Sequence, residues 1–156
     1  RVSRTIRIER RDLQGSWAEL NSSTESSVGL VSLGNPHFSL TEIQRTAALC
    51  QGQTKAAGVR LRIACGRDIH ARAAAAGLVA ELERFGAEFL NDTCWCMVDA
   101  KQLSDVRGAV MTNSAKFAHY GPGITDRRFH FAGLAACVAA ACSAEHRATM
   151  PSWLCD

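Results

Sequence analysis

No apolar run in this chain reaches membrane-spanning length, which excludes a transmembrane helix. The N-terminus holds no apolar core of a secretory signal, and the missing initial methionine points to a fragment or a processed product. A disulfide framework is lacking as well: the seven cysteines are odd in number and come without a signal, so they read as thiols of a reducing, cytoplasmic compartment. Cys94-Trp95-Cys96 is a close pair, yet no second pair stands at zinc-ribbon spacing, which argues against a four-ligand structural zinc site. The net charge of +3 owes much to Arg1, Arg4, Arg7, Arg10 and Arg11. Without interleaved aromatics this basic arm reads as a solvated edge, and no nucleic-acid partner is expected. What is present is an ordinary globular balance, 47% hydrophobic and 21% charged over 156 residues, enough for one domain with a proper core.

The pattern along the chain is strand then helix, repeated. A Ser-rich stretch, Asn21 to Ser27, reads as a loop or linker into a short apolar strand, Val28 to Leu33. Ser39-Leu40-Thr41-Glu42 is a capping box, and Leu40, Ile43, Ala47 and Cys50 follow at helical spacing, predicting a helix over 40–50. Val59 to Ala64 is a second strand, after which Asp68 caps one Ala-rich helix carrying Ile69, Ala73, Ala76, Ala80 and Phe85. Ala87 to Leu90 is a third strand and Gly108 to Met111 a fourth, running through Thr112-Asn113-Ser114-Ala115-Lys116 into a short helical turn. Gly121-Pro122-Gly123 reads as a turn, Arg128 to Phe131 as a fifth strand, and Gly133 opens a last helix through Leu134, Val138 and Ala141. Cys137 and Cys142 sit there as small core residues, and Pro151 to Asp156 breaks the periodicity. The alternation implies an α/β domain over 28–145, a three-layer α/β/α fold with a mostly parallel sheet of about four to five strands. Residues 1–27 are its basic arm and linker, and 146–156 its tail.

Open parallel sheets bind ligands at the carboxyl ends of their strands, and four polar segments fall there: 34–37, 65–68, 91–94 and 112–116. The amino-end connections, 51–58 and 99–107, read as solvated loops. Each polar segment has two readings. Gly34-Asn35-Pro36-His37 is a plain turn or a site wall, with His37 a surface residue or a general base. In Asn91-Asp92-Thr93-Cys94 the thiol is either a buried small residue or a thiolate ligand of iron. Thr112 to Lys116 is either an N-cap with a surface lysine or an anion cradle of hydroxyls, helix-start amides and a cation. His119 and Tyr120 carry no assignment.

The strings Gly34-Asn35-Pro36-His37-Phe38-Ser39-Leu40, Asn91-Asp92-Thr93-Cys94 and Met111-Thr112-Asn113-Ser114-Ala115-Lys116, in this order and separation, resemble the aconitase X family over about Val28 to Cys142. The resemblance implies a hydro-lyase built from a large catalytic part and a small swivelling part, dehydrating cis-3-hydroxy-L-proline or, in archaeal relatives, mevalonate 5-phosphate at an iron or iron-sulfur centre. It makes Cys94 the iron-ligating cysteine. Asn35 stands where archaeal relatives carry cysteine, which points to the bacterial hydroxyproline type, and Thr112 to Lys116 matches a loop facing the same cleft. Cys96 has no counterpart.

The implied chemistry is β-elimination of water: a base takes the proton alpha to a carboxylate while a Lewis acid helps the hydroxide depart. The resemblance assigns that base to no residue of this chain, since the family's small part and the rest of its large part lie outside it. Asn35, His37, Thr112, Asn113, Ser114 and Lys116 are the expected substrate contacts, for a hydroxy acid, with the other domains of the enzyme as partners. The isolated chain is expected to be inactive. Two competing readings stand: a regulatory module that has lost the chemistry, with Asn35 marking the lost ligand, and a non-metal small-molecule-binding domain whose cysteines are core.

Overall fold

A computed structural model describes residues 3–94 and 100–155. The first helix comes earlier than the sequence suggests: Arg10–Leu20 forms an α-helix, α1, inside the stretch read as a basic arm. The sheet strands are β1 (Val28–Phe38), β2 (Arg60–Cys65), β3 (Ala87–Asn91), β4 (Ala109–Thr112) and β5 (Phe129–Phe131). The remaining helices are α2 (Leu40–Cys50), α3 (Arg67–Ala75), α4 (Leu78–Phe85), α5 (Ala115–Thr125), α6 (Leu134–Ser143) and the single turn α7 (Ser152–Cys155). All four strand pairings are parallel, in the order β3-β2-β1-β4-β5.

This order decides where a ligand can bind. From β1 the chain builds outward to β2 and β3, then crosses back to place β4 on the other flank of β1. Right-handed crossovers in opposite directions put their helices on opposite faces. One face packs Val31, Leu33, Leu61, Ile63 and Met111 against α2, α4 and α6. The other packs Leu30, Ala64, Val110 and Phe129 against α5 and the connection before β4. Alternate residues of β1, β2 and β4 therefore face different cores, as period-2 strands require. The reversal of direction falls between β1 and β4, the crevice where such sheets take ligands.

Several expectations change in the structure. Residues 34–37 do not end β1 but form a bulged extension of it, with Phe38 pairing with Cys65 after the register shifts. The Ala-rich segment is two helices, broken where Gly77 adopts φ +77°, and Gly66 rather than Asp68 is the N-cap of the first. The stretch before β4 is not a plain solvated loop, because Leu103 and Val106 are buried in the second core. Gly121-Pro122-Gly123 is not a turn but lies inside α5. The Ser-rich segment is a loop, and it is held in place. Ser22 Oγ accepts from the Phe129 amide at 3.0 Å, Asn21 Oδ1 accepts from that of Phe131 at 2.9 Å, and the Ser23 amide donates to the Phe129 carbonyl. Together they cover the open edge of β5.

Candidate functional site

The end of β1 is shaped by one glycine. Gly34 has φ +80°, and a Cβ there would stand 2.2 Å from the Ala64 carbonyl oxygen on β2, so the chain can turn at this point only without a side chain. The next peptide bond, Asn35-Pro36, is cis. Asn35 is then held twice: its Nδ2 donates to Ser32 Oγ at 3.2 Å, and its carbonyl oxygen accepts from Ser114 Oγ at 2.9 Å. Its Oδ1 is buried and has no protein partner. An unpaired buried acceptor in a crevice is a group waiting for a donor or a cation.

The junction of β4 and α5 forms the facing wall. Thr112 is fully buried, and its hydroxyl accepts from the Ser114 amide at 3.1 Å, so it shapes the loop and does not line the crevice. Ser114 is the N-cap of α5, accepting from the Phe117 amide at 3.3 Å while donating to Asn35. Its hydroxyl therefore ties the two strand ends together. Beyond it α5 runs for eleven residues, and Lys116, Tyr120 and Ile124, four apart, project from one side of it.

Two adjoining cavities result, and Asn35 lines both. One, of about 210 Å³, is walled by Asn35, Cys94, Lys116, Phe117, Tyr120 and Ile124. The other, of about 90 Å³, holds Asn35, His37, Asn113 and Ser114, with Glu42 of the capping box beside them. Asn35, Cys94 and Lys116, far apart in sequence, thus meet in one space, while His37 and Asn113 open on its neighbour. Tyr120 and Ile124 are wall residues that the sequence reading misses. Their signal was the four-residue spacing from Lys116, hidden by the Gly-Pro-Gly that seemed to end the helix.

Cys94 reaches this crevice through a fixed approach. Asp92 adopts φ +54°, its Oδ1 accepts from the Arg67 amide at 3.0 Å, and its Oδ2 bonds the Arg67 guanidinium. These bonds to Arg67, and after them the charges of Arg67 and His37, hold the Asp92 carboxyl below the usual carboxylate range. Asp92 is therefore an anchor for the loop. Among the described residues no three His, Cys, Asp or Glu side chains form a metal cluster. The donors present, one thiol and one amide oxygen, fit one side of an iron centre and not a full ligand set. Cys96 lies outside the described residues.

Residues 28–143 match the model of the domain described as Aconitase X third domain. The chain is 47% identical over 150 residues to a cis-3-hydroxy-L-proline dehydratase of Hypocrea jecorina (strain QM6a), covering 96% of this chain and 25% of that protein. A dehydratase of the same name from Pseudomonas aeruginosa is 46% identical over 153 residues, covering 98% of this chain and 26% of its own length. The chain thus spans about a quarter of the length of these curated relatives. Among solved structures, the holo-form of Thermococcus kodakaraensis aconitase X superposes with a TM-score of 0.71 at 21% identity, over 90% of this chain and 36% of that one. That likeness shows the fold.

Proposed function

This chain belongs to the aconitase X family, spanning its third domain, and on that footing we propose that it walls the active cleft of a larger hydro-lyase acting on cis-3-hydroxy-L-proline. The observation that carries the reading is the meeting of Asn35, Cys94 and Lys116 around one cavity at the switch point of the sheet. In the elimination, the proton alpha to the carboxylate goes to a base, the C–O bond of the neighbouring hydroxyl breaks, and a C=C bond forms as water leaves. Lys116, at the start of α5, pairs with the substrate carboxylate, helped by the helix-start amides. The Asn35 side chain, whose Nδ2 donates to Ser32 and whose Oδ1 lacks a protein partner, accepts from a substrate donor. Tyr120, Phe117 and Ile124 supply an apolar wall that excludes water from the ring. His37 and Asn113 hold the neighbouring pocket.

Cys94 offers a thiolate to an iron or iron-sulfur centre, whose other ligands come from outside the described residues. Such a centre supplies Lewis-acid assistance to the departing hydroxide. The base belongs to the rest of the enzyme, which is the partner this domain requires. A reducing, cytoplasmic setting is part of the same reading, supported by unpaired thiols at Cys50, Cys65, Cys137, Cys142 and Cys155.

Iron and sulfide analysis of the anaerobically purified longer enzyme, wild type against Cys94→Ala, tests the reading. Loss of iron in the variant, together with at least a thousandfold loss of cis-3-hydroxy-L-proline dehydration, is expected. Full iron content in Cys94→Ala would refute the ligand role, and turnover of mevalonate 5-phosphate instead would refute the substrate.

A further inference from the structure

We propose that His130 and His146 form a binding site for one divalent transition-metal ion, zinc being the simplest case, in a polar pocket that contains none of the cleft residues. The pocket, of about 440 Å³, lies at the amino end of β1 and is lined by Ser23, Glu25, Ser26, His130, His146 and Arg147, among others. His130, on β5, is only 2% exposed. Its Nε2 lies 2.8 Å from the Glu25 carbonyl oxygen, which can only accept. Nε2 therefore carries a proton, and in the neutral ring the lone pair lies on Nδ1. That Nδ1 is buried and has no partner.

The second imidazole arrives from beyond α6. The His146 amide donates to the Ser26 carbonyl at 2.8 Å, which seats the ring against His130, and its Nε2 is likewise buried without a partner. The two ring centres are 5.1 Å apart with the planes at 75°. Two imidazoles sharing one tetrahedral zinc through nitrogens at about 2.0–2.1 Å place their ring centres about 5 Å apart. A backbone carbonyl on the far nitrogen is also how metal-bound histidines are usually oriented. The Glu25 carboxylate and the Arg147 guanidinium on the same wall balance in charge. Among the described residues no third His, Cys, Asp or Glu completes a cluster, so water takes the remaining positions.

Calorimetric titration of the metal-stripped full chain with zinc chloride tests this. One ion per chain is expected, bound at least tenfold more weakly by His146→Gln and equally well by Cys94→Ala. Cobalt(II) gives a parallel readout, a visible d–d band that disappears in His146→Gln. Because His130 is buried, His130→Gln is interpreted only after circular dichroism shows it folded, whereas His146 sits on the tail and its variant keeps the proposal falsifiable. Absence of binding overturns the proposal and leaves the two nitrogens sharing a buried water. Binding unaffected by His146→Gln, or abolished in Cys94→Ala, overturns it too.

Discussion

Gly34 and Asn35 are neighbours with opposite kinds of constraint. Gly34 is set by what it lacks, since a Cβ at φ +80° would collide with the Ala64 carbonyl of β2. Gly34→Ala is predicted to destabilise the fold by about 2–4 kcal/mol. The urea midpoint measures this, and a loss below about 0.5 kcal/mol would mean that the bulge can rearrange. Asn35 is set by what it holds, an amide oriented through Nδ2 on Ser32 whose buried oxygen has no protein partner. Lys116, exposed at the rim, is a charge rather than a scaffold. Lys116→Met in the longer enzyme is predicted to raise KM about 10- to 100-fold, the worth of one charge-assisted contact. A fall in kcat with unchanged KM would instead assign Lys116 to the chemical step. Thr112 behaves differently from both, since its hydroxyl is spent on the Ser114 amide. From sequence alone its hydroxyl and that of Ser114 were equally good candidates. Only the buried position of Thr112 separates them.

At the scale of elements, α2 was legible and α5 was not, and the reason is local. The bounds of α2 follow from Ser39 and Glu42, which satisfy each other's backbone amides, and from the buried Ile43, Ala47 and Cys50. In α5 a proline sits mid-helix, where it removes one amide donor and crowds the carbonyl four residues back. The helix survives because tertiary contacts favour it. Gly121 lets the Phe129 ring approach so closely that a Cβ would fall 2.3 Å from its Cζ, and Thr125 Oγ1 donates to the Gly121 carbonyl at 2.7 Å. Pro122→Ala is therefore predicted to stabilise the chain by about 1–3 kcal/mol, since it restores a helical hydrogen bond without altering that packing. If the melting temperature fell instead, α5 would end before the proline, and Ile124 would leave the cleft. α3 and α4 show the reverse case: a run of helix formers is divided by Gly77 at positive φ, where alanine spacing gave no warning.

Over the whole molecule, the two cores and the buried thiols set the response to pH. Burial pushes the Cys137 thiol up to about 12, and burial with Cys142 and Glu81 does the same for Cys50. Unfolded thiols ionise near 9.0. Because the folded values are raised, their stabilising contribution is complete below pH 9 and is lost as the pH climbs from 9 toward 12. Urea denaturation at pH 8 and pH 10.5 should show a drop about 1–2 kcal/mol larger in wild type than in Cys137→Ala. Equal drops would place that thiol in contact with solvent. The sequence by itself determined the class of fold, through the strand-helix alternation, and the polar segments at strand ends, because these depend on periodicity and turn chemistry within short stretches. Tertiary structure alone decided the strand order, the placing of the shared cleft of Asn35, Cys94 and Lys116 at the reversal between β1 and β4, and the pairing of His130 with His146. Those juxtapositions depend on crossover direction and on side chains from distant segments packing against a shared sheet, which no local pattern records.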